Sequence, residues 1–504
     1  MTESNSNALR AERLKKLESL EQQGHAPYPA RYKRSHNAQQ LQDDYESHTE
    51  SEQFQSLDAV SVCGRITALR RMGGASFLDL RDGSGRIQLY AEKETLGDQY
   101  ELLIEHLDIG DFLGAEGKLF RTKRGELSID IRSFQFLSKS LLPLPEKWHG
   151  LKDTEVRYRQ RYLDLISNEE TREAFRTRTK IVTAMRKFLD GQGFLEVETP
   201  VLQPIYGGAA ARPFVTHHNK LDTELYLRIS DELYLKRLII GGFERVYEIG
   251  TDFRNEGLST KHNPEFTMME CYQAYADYAD MMELTENMVA FIAQEALGTT
   301  TIEFQGHEID LTPPWPRKTL REAILEQSGI DFMKHPTTEE IEKAIKDAGL
   351  KVTPQKTWGK WVDELLSEFV EPNLISPTFL TDYPVELSPF AKKRVDDPNI
   401  TERFEVFAAG FEFGNAYSEL NDPLDQRERF ESEARMQRQG NEETNPIDED
   451  YLTAMEHGMP PTGGLGIGVD RLTILLTDRP SIRDVILFPT LRPIKSGTQP
   501  ADPK

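Results

Sequence analysis

Cysteine is nearly absent from this chain: Cys63 and Cys271 are the two found in 504 residues, and they stand far apart. Two distant cysteines build neither a disulfide framework nor a four-ligand zinc site, so a reducing, cytoplasmic compartment is expected. Long apolar runs are missing too. The N-terminal stretch MTESNSNALRAERLKK lacks the apolar core of a signal peptide, no run is long enough to span a bilayer, and no membrane partner is expected. Positive charge is in deficit, with 61 Lys and Arg against 84 Asp and Glu and a formal net charge of −23. That balance argues against non-specific adhesion to nucleic acid or anionic membrane, yet leaves room for a local basic face. The familiar phosphate-binding fingerprints are also lacking. Val469 stands where a G-x-G-x-x-G from Gly464 would need its last glycine, and no Gly-Lys-Ser/Thr loop is present.

What is present is enough chain for more than one domain and a large core. From Asn7 to Gln23, Leu9, Leu14, Leu17 and Leu20 recur at roughly helical spacing beside Arg10, Arg13, Lys15 and Lys16, and Gly24 ends the pattern. This reads either as a solvated amphipathic helix or as a basic helix that touches a phosphate backbone. Five short strand-like runs with glycine turns then fill residues 58–138, the pattern of a small five-stranded β-barrel of the OB type, which binds oligonucleotides on one face. Phe77 and Gln88 could present a stacking ring and a base-reading amide there; alternation alone equally allows Phe77 to be a core residue. The proline-bearing SLLPLPEKWHG reads as a linker, VRYRQRYLDL as a helical hinge, and Arg172 to Gly193 as a long helix before the strand and stop in GFLEVETP. We expect a lead-in at 1–57, the barrel at 58–140, a hinge at 141–170, a large domain at 171–497 with a helical insertion near 310–375, and a polar tail at 498–504.

The stretch Glu244 to Tyr278 organises the large domain. It reads as a long hairpin whose first strand ends at Arg254, whose loop carries His262, and whose second strand places Phe266, Met268, Glu270, Tyr272 and Ala274 on one face. A cationic, anion-seeking loop beside an acidic strand suits a substrate with both phosphates and a positively charged group. The run IYGGAAARP at 205–213 lets a ligand approach backbone closely. The adjacent His217 and His218 point to opposite faces of a strand and would not chelate one metal together. In RFEVFAAGFEFGNAYSELN, a turn with an even number of residues puts Glu405 and Glu412 on one face, either as a Mg²⁺ pair or as two surface carboxylates of an acidic protein. In GGLGIGVDRL, Gly464, Gly466 and Gly468 alternate, so one face of the strand carries no side chains, either as a flat floor for a planar base or as a strand thinned for close packing; the Arg471 that follows at once favours the first.

Taken in order, GFLEVETP with its preceding helix, FRNEGLSTKHNPEFTMMECYQAYADY and GLGIGVDRL resemble the three motifs of class II aminoacyl-tRNA synthetases, and the lysyl type of the bacterial group most nearly. The resemblance implies an α+β chain: an N-terminal five-stranded OB-fold β-barrel, then a class II synthetase catalytic domain with an antiparallel β-sheet flanked by helices. It implies a ligase that activates L-lysine with ATP to lysyl-adenylate and pyrophosphate, then transfers lysine to the 3′-terminal ribose of tRNA(Lys), working as a homodimer with Mg²⁺. By resemblance Arg254 and Arg471 are catalytic, Arg254 bridging the substrate carboxylate and the α-phosphate. Glu256, His262, Phe266, Gly466 and Gly468 join those arginines around ATP, with Arg471 stacking on adenine or reaching the γ-phosphate. Gly208, Glu232, Glu270, Tyr272, Asn415, Tyr417 and Glu419 surround lysine together with Arg254. Of these, Glu232 takes the α-ammonium, and Glu419 with Tyr272 takes the ε-ammonium. Tyr417 stands where some bacterial members carry phenylalanine. Glu405 and Glu412 match the family's Mg²⁺ ligands, and Phe77, Gln88 and Glu126 its uridine-reading anticodon positions. Three other readings stay open at this point: an aspartyl or asparaginyl relative, an enzyme that lysylates a protein factor, and a non-catalytic RNA-binding protein on the same scaffold.

Overall fold

The computed structural model describes residues 3–48, 53–54, 58–145, 151–438 and 444–494. The expected linker SLLPLPEKWHG lies partly, and the tail at 498–504 wholly, outside them. Contacts divide the described residues between Arg157 and Tyr158 into two compact units, with Ile494 grouped in the first.

In the first unit, α1 (Glu3–Gln22) precedes strands β1 (Val60–Met72), β2 (Ala75–Arg81), β3 (Arg86–Glu92), β4 (Phe112–Arg121) and β5 (Leu127–Ser138), which close into a barrel in the order β1-β2-β3-β5-β4. All five expected strands form. Their alternation sends Leu78, Leu80, Ile87 and Leu89 inward to a shared core, each such burial contributing about 1.5–3 kcal/mol. The first helix is amphipathic, with one face solvated and the other docked on the barrel. Leu20 is fully buried in the barrel core, Arg13 donates to the carbonyls of Ser140, Leu142 and Ile109, and Lys16 pairs with Asp108 at 2.6 Å. Two of its four cations are thus used to dock it, which leaves Arg10 and Lys15 facing water.

The second unit begins with two short helices, Thr154–Arg159 running into it and Arg161–Ser167, where the hinge was expected. It then runs through α2 (Glu169–Gly191), β6 (Leu195–Glu196), α3 (Glu232–Ile240), β7 (Arg245–Phe253), β8 (Glu265–Ala274), α4 (Tyr278–Leu297) and β9 (Arg317–Thr319). Helices α5 (Leu320–Ser328), α6 (Thr338–Asp347) and α7 (Trp358–Leu365) precede β10 (Thr378–Pro384), β11 (Ile400–Ala408), β12 (Phe411–Ser418), β13 (Thr462–Gly468) and α8 (Val469–Leu476). The sheet has eight strands in the order β9-β10-β11-β12-β13-β8-β7-β6, antiparallel except for the outermost pair at each edge. Only Leu195 and Glu196 of GFLEVETP join it; Thr199 instead donates its N–H to the Glu248 side chain at 2.9 Å.

One face of the sheet carries Met269, Cys271, Leu465, Ile467, Phe404 and Val406 into a core with Ile181, Met185 and Leu189 of α2 and with the apolar stripe of α4. A slip of one residue in β8 would exchange Met269 and Cys271 for Glu270 and Tyr272, so burial fixes the register. The opposite face is thereby committed to polar side chains. Helices α5 to α7 form a core of their own around Phe332, Trp361 and Leu365, and this packs on Leu380, Tyr383 and Phe407.

Candidate functional site

The register assembles the site. Glu270 of β8 lies opposite Gly466 of β13, Gly466 opposite Asn415 of β12, and Asn415 opposite Glu405 of β11. One step along, Tyr272, Gly464, Tyr417 and Arg403 form a parallel row. Paired residues across antiparallel strands share a face, so the glycines of β13 make a furrow between two banks of functional side chains. The turn between β11 and β12 is Ala409-Gly410, both at positive φ (54° and 77°), which satisfies the even-loop condition. Glu405 and Glu412 accordingly both face the furrow.

A cavity of about 370 Å³ occupies this face, and every candidate ATP, lysine and Mg²⁺ residue of the large domain lines it, from Gly208 and Glu232 to Gly468 and Arg471. Two glycines there have no substitute. Gly208 sits at φ +90° with Ser230 Oγ 2.9 Å from where a Cβ would be, and a Cβ on Gly464 would lie 1.9 Å from Glu419 Oε1.

The two ends of the cavity differ in charge. At one, Arg254 spreads over the Phe266 ring at 5.0 Å, and its only side-chain hydrogen bond among the described residues runs from Nε to the Ile229 carbonyl at 3.3 Å. Its terminal nitrogens are left for a ligand. Arg471 donates to the Glu412 carboxylate at 2.8 Å and to His262 Nε2 at 3.2 Å. An arginine can only donate, so Nε2 accepts, and the ring proton sits on Nδ1 toward Ser259 Oγ, 2.9 Å away. Desolvation and then Arg471 lower the His262 pKa, which keeps the ring neutral. The N-terminus of α8 is anchored from two sides, because Asp470 accepts from Arg178 of α2 at 2.5 Å and from the Thr267 N–H at 2.7 Å. Glu256 lines the loop beyond Arg254.

At the other end three carboxylates are buried together: Glu232, Glu270 and Glu419 are 4%, 6% and 1% exposed. Glu270 accepts from Ser230 Oγ at 2.9 Å and Tyr272 Oη at 3.0 Å, yet burial, then Asp252 and Glu232, push its pKa up to about 8. Neither oxygen of Glu419 makes a hydrogen bond among the described residues, although Oε2 stands in an ion pair with Lys236. A buried, unpaired carboxylate oxygen is costly unless a cation meets it. Tyr272 therefore serves Glu270 rather than Glu419 in the absence of ligand. The hydroxyl of Tyr417 donates to Glu232 Oε2 at 2.5 Å, an orienting contact that phenylalanine could not make.

Four neighbours escaped sequence reasoning. Lys236, fully buried, reaches Glu232 and Glu419; Arg403 joins Asn415 at 3.1 Å to Glu405 at 2.6 Å; Ser230 holds Glu270; and Arg228 lies beneath them against Asp231, Glu248 and Asp252. A helical pattern shows that Lys236 stands one turn from Glu232, but not that a strand from residue 418 passes the same point. Glu405 also accepts from Tyr383 at 2.9 Å, and its pKa is pushed up to about 7 by burial, with Arg403 opposing and Glu412 adding to the shift. Among the described residues no group of three or more His, Cys, Asp or Glu could hold a metal ion by itself.

On the barrel, Phe77 is half-exposed and lies outside the core cluster. It meets Tyr90 at 5.0 Å, and Tyr90 meets Phe120 at 5.7 Å, so three rings form a platform across β2, β3 and β4. Gln88 is held by Ser128 at 2.9 Å, and Glu126 pairs with Arg86 at 2.5 Å.

Residues 153–492 match the family model for class II tRNA synthetases (D, K and N), and residues 60–137 match that for the OB-fold nucleic acid binding domain. The lysine–tRNA ligase of Moorella thermoacetica is 55% identical over 489 residues, covering 97% of this chain and 98% of the relative; that of Pelotomaculum thermopropionicum is also 55% identical, covering 97% and 95%. The lysine–tRNA ligase of Dehalococcoides mccartyi is 54% identical over 485 residues, covering 96% and 97%. With both domains matched and relatives of this identity aligned almost end to end, the chain belongs to the class II tRNA synthetases of the lysine–tRNA ligase family, with an OB-fold domain ahead of the synthetase domain.

Proposed function

We propose that the cavity is the seam at which lysine and ATP meet, with Arg254 touching both, in a ligase that forms lysyl-adenylate and passes lysine to tRNA(Lys). The observation that carries this is the division of one cavity into a cationic end at Arg254 and Arg471 and an anionic end at Glu232, Glu270 and Glu419. Lysine has two ammonium groups, and the orphaned Glu419 Oε1 is the natural partner of the ε-ammonium. An aspartate would bring an α-ammonium for Glu232 but no second cation for Glu419 Oε1, and it would add a fourth carboxylate to an acidic end.

Activation brings a carboxylate against the α-phosphate, so the barrier is largely repulsion between anions. The free guanidinium nitrogens of Arg254 lie where both groups would converge, and Arg471 can follow the charge that develops on pyrophosphate. Neutral His262 and the Phe266 ring supply an acceptor and a stacking face for the nucleotide, with Gly466 and Gly468 as the floor. Glu405 and Glu412 fit a hard cation completed by phosphate oxygens, because two facing carboxylates, one of them raised toward neutrality, gain from a positive charge between them. Mg²⁺ held there would offset phosphate charge.

The ring platform at Phe77, with Gln88 and Glu126, suits unstacked anticodon bases. The exposed Leu195, Val201 and Leu202 on and after the edge strand β6 support a homodimer through that edge. Two free cysteines in separate units fit a cytoplasmic protein, and among the described residues no helix is long and apolar enough to cross a membrane. Amino-acid-dependent exchange of pyrophosphate into ATP tests the reading: lysine should support it, and exchange with aspartate but not lysine would overturn it.

A further inference from the structure

Behind the acidic end of the cavity lies a cation that does not line it. Lys236 stands one helical turn after Glu232 on α3, and its side chain is fully buried. Its Nζ lies 2.5 Å from Glu232 Oε1 and forms an ion pair with Glu419 Oε2, boxed by the rings of Phe390 at 5.1 Å and Tyr417 at 5.5 Å. The second Glu232 oxygen is taken by Tyr417, whereas Glu419 Oε1 stays unpaired among the described residues. One buried ammonium therefore ties together two carboxylates that come from a helix and from just past the end of β12.

Three carboxylates buried side by side would not all stay ionised. Burial raises Glu419 well above its ordinary range, Lys236 opposes that shift, and Glu232 and Glu270 add to it. A protonated Glu419 would offer lysine no charged acceptor, and it would accept a neutral side chain of the same length almost as well. Lys236, paired to Oε2, opposes that rise and fixes the carboxylate in place, and a substrate without an ε-ammonium leaves Oε1 stranded.

We infer that Lys236 is a positioning and specificity-determining residue: from behind the cavity, its buried ammonium holds Glu232 and Glu419 at a fixed separation and offsets their charge, so that only a substrate bringing a second ammonium completes the site. This rests on the reading that Glu232 and Glu419 receive the two ammonium groups of lysine.

The test compares full-length Lys236→Met with Glu419→Gln and the unaltered protein in pyrophosphate exchange, using lysine and norleucine, whose side chain is uncharged and ends one atom short of the ε-ammonium. For Lys236→Met the expected result is a KM for lysine raised roughly ten- to a hundredfold, the scale of a lost charged hydrogen bond, with the KM for ATP unchanged. The preference for lysine over norleucine should fall by a similar factor. The acid limb of kcat/KM for lysine should move about one to three units to higher pH, because a carboxylate without its cation takes up a proton more readily. A structural role alone would lower the amount of folded enzyme and leave both the discrimination and the limb in place; that outcome overturns the inference. An unaffected Glu419→Gln would sink the reading of the site itself and the inference with it. An impaired Glu419→Gln beside an unaffected Lys236→Met sinks the inference alone. Should Lys236→Met fail to fold, the double variant with Glu419→Gln decides: recovery of folding is expected when an unpaired carboxylate is the cause, and a double variant equally unfolded makes Lys236 a packing element.

Discussion

Adding one methyl group at either of two glycines in the furrow should separate the two substrates. At Gly466 an added Cβ meets nothing nearer than 3.8 Å, an ordinary contact with Asn415, Glu270 and Met268. Gly466→Ala should therefore fold, and replacing a strand glycine should add about 0.5–1 kcal/mol of stability. The methyl would stand up from the floor into the space proposed for the nucleotide, where overfilling costs about 1–3 kcal/mol, or roughly five- to 150-fold in the KM for ATP. At Gly464 the same methyl would lie 1.9 Å from Glu419 Oε1 and 2.6 Å from the Tyr272 ring. Glu419 must move, so Gly464→Ala should lose thermal stability and raise the KM for lysine while largely sparing ATP. The assay is pyrophosphate exchange at varied ATP and varied lysine, beside thermal denaturation. If Gly466→Ala keeps its fold and its KM for ATP within twofold, or if both variants harm both substrates alike, the division of the cavity is wrong.

Further expectations concern titration, metal and tRNA. Glu270 titrates near 8 in the free protein against about 4.5 unfolded, so between those values the folded state holds a proton that the unfolded chain does not, and its contribution to stability is present at low pH and lost as pH rises toward 8. Lysine binding should release that proton: kcat/KM for lysine should rise between pH 6 and 8, and a rise unaltered in Glu270→Gln would remove the assignment. Glu412→Gln should shift activation to higher Mg²⁺ concentration in exchange assays run as a Mg²⁺ titration, and an unchanged dependence would remove Glu412 from the cation site. Phe77→Ala should weaken tRNA charging by about 1–3 kcal/mol per stacked base while leaving amino-acid activation intact; equal loss of both would make Phe77 a core residue.

Much of this arrangement is legible in the sequence, because strand periodicity and register do the placing. Alternation at Phe266–Ala274 sorts Glu270 and Tyr272 from Met269 and Cys271, alternating glycines at 464–468 announce a bare strand face, and the two-residue turn at Ala409-Gly410 aligns Glu405 with Glu412. What escapes is whatever depends on elements distant in sequence converging. Lys236 reads as an ordinary basic residue on an amphipathic helix until Glu419 is brought across from β12's end, and Arg403 reads as a strand cation until Asn415 and Glu405 flank it. The docking of α1 is hidden for the same reason, since Arg13 bonds to carbonyls roughly a hundred residues away. Its leucines alone could not distinguish water from a barrel wall.

The most direct test of the central claim is a crystal structure of the protein with a stable lysyl-adenylate analogue. The ε-ammonium should lie within hydrogen-bond distance of Glu419 Oε1, the α-ammonium at Glu232, and the Arg254 guanidinium against both the lysyl carbonyl group and the phosphate-equivalent oxygens. An analogue bound with its ε-ammonium away from Glu419, or with Arg254 touching neither half, would contradict the account.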